Sequence, residues 1–122
     1  MIPLAIFLGG GLGSLARYDT SQAASILHKS FPIGTLLSNI LSCVVLAIAI
    51  NYFSSKIESS TFLKFFIIVG FCGGFSTFST FSYETFSLIK QNHIGYAIAN
   101  ILISIGFCLT IFYLFRTSLK TF

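Results

Sequence analysis

Four apolar stretches, each long enough to cross a bilayer as a helix, account for nearly all of this 122-residue chain. They run over about 2–27, 31–53, 61–88 and 94–115, where a helical span takes roughly 20 residues. Only short polar pieces separate them: "LHKSFP" (27–32), "SSKIESS" (54–60) and "KQNH" (90–93). In lipid a backbone must satisfy its own hydrogen bonds, so stretches of this kind fold as helices. The expectation is an all-α membrane protein with four transmembrane helices. Residues 1–122 then form a single domain, with no linker, repeat or low-complexity tract.

Composition excludes the soluble alternatives. The chain is 55% hydrophobic and 8% charged, too little charge to clothe a soluble domain of this size. Its net charge of +4 fits loops and ends that face headgroups better than a nucleic-acid surface. The N-terminal "MIPLAIFLGGGLGSLA" ends in small residues, as a signal peptide does. It lacks a basic leading segment and three more spans follow, so no cleavage is expected. Cys43, Cys72 and Cys108 lie in apolar runs and read as small packing residues. His28 and His93 sit near span ends without ligand-like spacing, so an enzyme is not expected.

Polar residues inside the spans carry the functional signal. Gly9 and Gly13 share a helical face where another helix can approach closely. Arg17 is a costly charge that must face protein, water or the interface. Pro32 suits the first turn of the second span. Thr35, Asn39 and Ser42 form one helical stripe, and Tyr96, Asn100 and Ser104 form another. Such stripes serve either interhelical hydrogen bonds or a wet path of neutral donors that coordinates an anion without trapping it.

The segment "GFCGGFSTFSTFSYET" (70–85) stands apart. Gly73 and Gly74 weaken the third helix near its middle, which predicts a break around Gly73–Thr77. A break frees carbonyls that suit a small hard cation. Phe78 and Phe81 then point to one side, either as packing or with their positive edges toward an anion.

Three segments, "GGGLGSLARY" (9–18), "GTLLSN" (34–39) and "GFCGGFSTFSTFS" (70–82), resemble the signatures of the small dual-topology fluoride channels, the Fluc or CrcB family. The resemblance covers nearly the whole chain. It implies a fluoride-selective channel of the bacterial inner membrane that exports cytoplasmic fluoride passively. It further implies an antiparallel dual-topology homodimer with two pores and a structural sodium ion at the interface. By motif, Asn39 corresponds to a pore asparagine, and Phe78 and Phe81 to the aromatic pair whose edges meet fluoride. Gly73 and Ser76 correspond to the sodium-coordinating carbonyls. Thr35, Tyr96, Asn100 and Ser104 fall along the anion pathway, and Arg17 takes a structural or vestibule role. Ser42 replaces the glycine usual after the asparagine, and "FST" (75–77) stands where "LTT" is common.

Two other classes compete. A small four-span coupled transporter depends on a membrane-embedded glutamate in its first span, whereas here Glu84 lies late in the third. A non-transporting assembly subunit would lack the polar stripes and the glycine pair. With four spans, Lys56, Lys64, Arg116 and Lys120 fall on one side and Arg17, Lys29 and Lys90 on the other. So even a balance gives the positive-inside rule little to act on, which favours insertion in both orientations.

Overall fold

A computed structural model describes residues 1–52 and 54–115. The expected end of the second stretch at Phe53, and Arg116 and Lys120, lie outside the described residues. Among those residues the chain is helical throughout, with no strand. Helix α1 spans Ile2–Ala24, α2 Ile33–Tyr52 and the short α3 Ser54–Ser59. Helix α4 covers 61–75, α5 Phe78–Lys90 and α6 Ile94–Leu114. Among the described residues, three stretches, Ile33–Asn51, Thr61–Lys90 and Ile94–Leu114, are long and apolar enough to cross a membrane.

The ends follow local chemistry. Helix α1 stops at Ala24, three residues short of expectation, where the Ser25 hydroxyl donates to the Gln22 carbonyl at 2.7 Å. Two residues later than expected, α2 begins directly after Pro32, whose ring suits a helix start. The His28 Nδ1 accepts the N–H groups of Ser30 and Phe31 at 3.1 and 2.9 Å, shaping the connection. Helix α4 is capped by the Ser60 hydroxyl, which accepts the Leu63 N–H at 3.2 Å. At the end of α5, Asn92 turns into the left-handed region with φ 61°. The His93 N–H then reaches the Leu88 carbonyl at 2.8 Å and the Asn92 N–H reaches Ile89 at 3.1 Å. That is a Schellman closure, with asparagine in the place glycine usually takes.

The packing is built on small residues. Ala5, Ala24, Ala47, Ala49, Cys72 and Ala97 are buried, while large side chains such as Phe7, Leu102, Phe107 and Leu109 face outward. Lipid offers no hydrophobic drive between helices, so close backbone approach and hydrogen bonds must hold them. The tightest contact joins α1 and α4. A Cβ on Gly9 would lie 2.1 Å from the Phe66 carbonyl oxygen, and one on Gly13 2.2 Å from that of Phe71. From the other side, a Cβ on Gly74 would lie 2.5 Å from the Gly10 carbonyl oxygen. At this contact, Phe65–Cys72 winds as a π-helix, a form that the apolar sequence does not announce.

Helix α2 stands between the two halves of the molecule. It touches α1, α4, α5 and α6, whereas α1 touches neither α5 nor α6 among the described residues. The break in the third stretch carries the chain across: α4 docks on α1, and α5 docks on α6. It falls within the expected Gly73–Thr77, at the far end of that range. Gly73 keeps helical angles (φ −64°, ψ −38°), and the helix opens only at Ser76 and Thr77, both extended. Gly74 serves contact with α1, and the opening falls where a hydroxyl can start a new helix.

Candidate functional site

At the break, side chains replace the missing helical hydrogen bonds. The Thr77 hydroxyl caps α5 by accepting the Thr80 N–H at 3.2 Å. Asn39, on α2, clamps the Thr77 backbone from both sides. Its Oδ1 accepts the Thr77 N–H at 2.7 Å, and its Nδ2 donates to the Thr77 carbonyl at 3.3 Å. From α1, the Arg17 Nε donates to the Gly74 carbonyl at 3.2 Å. The Ser42 and Ser76 hydroxyls both donate to the Cys72 carbonyl at 2.9 Å. Non-helical backbone inside a membrane protein requires such substitutes.

The carbonyls of Gly73 and Ser76 lose their usual helical donors. The Thr77 N–H, which would have closed on Gly73, goes to Asn39, and the Thr80 N–H goes to the Thr77 hydroxyl. Gly73 is also exposed, with nothing within 4 Å of where a Cβ would stand.

A crevice of about 350 Å³ opens beside the break, lined by Asn39, Ser76, Thr77, Phe78, Phe81 and Ser104 together with apolar and thiol side chains. The Phe78 and Phe81 rings lie 5.9 Å apart between centroids at 37°. Phe78 is 80% exposed, so most of its ring projects from the chain. A primary amide has two N–H donors, and the Asn39 clamp uses one. The other is left for the crevice. Chemically the site offers neutral donors and aromatic edges, with no cationic side chain among its lining residues.

The remaining residues of the two stripes stand elsewhere. Thr35 is buried and its hydroxyl donates to the Glu84 carboxyl. Asn100, also buried, donates to the Thr85 hydroxyl at 2.9 Å and accepts from Ser104 at 3.4 Å. Thr85 in turn donates to the Phe81 carbonyl at 2.8 Å, so this relay runs along the α5–α6 seam to the crevice. Tyr96 packs with the rings of His28, Phe31 and His93, its centroid 5.7–5.9 Å from each. Glu84 and Thr85 were not singled out as site residues from the sequence. The available signal was that Thr85 follows Phe81 by one helical turn and shares its face.

The sequence pattern described as "CrcB-like protein, Camphor Resistance (CrcB)" matches residues 4–115. The chain belongs to the CrcB-like family. Proteins from Salmonella arizonae, Salmonella newport and Salmonella heidelberg, each named "Fluoride-specific ion channel FluC", are 40% identical to it over 102 residues. The alignment covers 84% of this CrcB-like chain and 80% of each relative. With its long apolar helices, it is a multi-pass membrane protein. Its relatives are named as channels, not as enzymes.

Proposed function

We propose that this chain is a fluoride-selective channel through which cytoplasmic fluoride leaves passively, acting as an antiparallel homodimer of four-span chains. One observation carries the reading. The helix break gathers the Asn39 amide, the Phe78–Phe81 pair and the Ser104 hydroxyl around one crevice, in a chain whose relatives are named fluoride-specific channels. Neutral donors and ring edges attract an anion, while the lack of fixed positive charge lets it leave. Thr35, Asn100 and Tyr96 extend the path along α2 and α6. Hydrogen fluoride crosses lipid as the neutral acid and ionises inside, so the anion accumulates. An inside-negative potential then drives it outward, and a selective passive pore suffices.

Helix α1 supplies the fourth span, its glycine face docked on α4. The projecting Phe78 ring gives a second copy a surface to cover, and twofold symmetry doubles the crevice into two pores. The Gly73 and Ser76 carbonyls, freed of helical donors and with Gly73 facing open space, are hard oxygen ligands fit for a sodium ion shared between copies. Such an ion would supply a fixed positive charge that ties the two broken helices together. Arg17 holds the end of α4 in place for it.

Purified protein in liposomes tests the reading against fluoride, chloride and a cationic dye. Fluoride efflux without matching chloride or dye movement supports it. Proton-coupled dye movement would instead make the chain a coupled transporter, and the absence of any flux a non-transporting subunit.

A further inference from the structure

The crevice contains a feature that an anion path does not explain. Cys43 follows Asn39 by one turn of α2, and Cys108 follows Ser104 by one turn of α6. Both thiols line the same crevice, and both are free and only part-buried. Cys72, the third cysteine, is buried and does not line it. Helices α2 and α6 pack directly together, so two rigid elements hold the pair.

We propose that Cys43 and Cys108 form a binding site for a soft, two-coordinate d10 cation such as Hg²⁺, and that an ion held there obstructs the crevice. Thiolates are the ligands that select soft metals, and the thiolate is the binding form. On binding, each thiol releases its proton to water and two sulfur–metal bonds form, with no change of oxidation state. A divalent ion and two thiolates give a neutral unit, which avoids the large cost of burying net charge. No histidine, carboxylate or further cysteine lines the crevice. Two ligands suit linear coordination and leave a tetrahedral zinc site half empty. The ion would sit one turn from Asn39 and Ser104, beside the groups that face the anion. Obstruction rests on the channel reading above; binding does not.

Purified wild-type, Cys43→Ser, Cys108→Ser and Cys72→Ser proteins are titrated with Hg²⁺, following the ultraviolet thiolate-to-metal charge-transfer band. The expected result is one tightly bound ion per chain in wild type and Cys72→Ser. At least about a tenfold loss of affinity should follow in each of the other two. Each protein is then reconstituted, and fluoride efflux with Hg²⁺ is divided by efflux of the same protein without it. That ratio should fall about tenfold in wild type and Cys72→Ser and stay near unity in Cys43→Ser and Cys108→Ser. Unaltered binding in either crevice variant, or a wild type that binds the ion and conducts as before, overturns the proposal. Untreated wild type that moves no fluoride refutes the channel reading instead, and the titration still decides the site.

Discussion

Asn39 offers the sharpest test of how the break is held. Its side chain makes two hydrogen bonds to one backbone residue, at 2.7 Å to the Thr77 N–H and 3.3 Å to the Thr77 carbonyl. A net hydrogen bond contributes about 0.5–1.5 kcal/mol, and interhelical ones in membranes average ~0.6 kcal/mol. The short bond belongs near the top of that range and the long one near the bottom. Together they stabilise the break by about 1–2 kcal/mol, a factor of roughly 5–30 in a local opening equilibrium. Asn39→Ala should therefore speed hydrogen exchange of the Thr77 amide by that factor, with α6 amides unchanged. Asn39→Leu keeps the volume but not the polar atoms, so matching acceleration in both variants assigns the effect to the lost bonds. Asn39→Asp retains the acceptor but turns an oxygen toward the Thr77 carbonyl, and should exchange at least as fast as Asn39→Ala. A Thr77 amide that exchanges within twofold of wild type in both Ala and Leu variants would refute the clamp.

Gly9→Ala and Gly13→Ala place a methyl about 2 Å from a carbonyl oxygen of α4, and overpacking of this kind costs about 1–3 kcal/mol or more. Gly11→Ala, with nothing within 4 Å, should be neutral or stabilising in the same unfolding titration. Phe78→Ile should greatly reduce fluoride flux in liposomes while leaving the size-exclusion profile unchanged; near-wild-type flux would return Phe78 to packing. Asn92→Ala should lower stability by about 1 kcal/mol because alanine resists the left-handed angle, and Asn92→Gly should not. Paired C-terminal reporters, one active only inside the cell and one only outside, should both give signal if chains insert in both orientations. Strong signal from one alone in a functional protein rules that out.

Helix existence was legible because lipid leaves the backbone few options, and run length alone marks the stretches that became α2, α4–α5 and α6. The break was legible to within Gly73–Thr77, but its position inside that range was not. Propensity points to Gly73 and Gly74, yet both stay helical, Gly74 against α1, and the opening falls at Ser76 and Thr77, where a cap and a clamp are both at hand. A cap is visible in sequence as Thr77 three residues before Thr80. The clamp is not, since Asn39 lies 38 residues away. Spacing pairs Phe78 with Phe81. Their convergence with Asn39 and Ser104 was expected only through family resemblance, because it depends on how α5 and α6 pack. Stripe periodicity was correct as geometry but silent on partners: Thr35 turns to Glu84 and Asn100 to Thr85, neither on its own helix.

The bond between Arg17 and Gly74 also sets an order of events during synthesis. The two residues are 57 positions apart, and translation at about 5–20 residues per second leaves roughly 3–11 s between their emergence. Over that interval α1 can pair with α2 but not with α4, and its glycine face has no backbone to meet. Arg17 must spend those seconds with its guanidinium drawn toward headgroups, as long cationic side chains do at helix ends. Docking of α4 then exchanges a lipid partner for a carbonyl. The newborn protein is thus most exposed to quality-control proteases until about three-fifths of it is made, and a variant that weakens the α1–α4 seam lengthens that window before it changes anything in the finished fold.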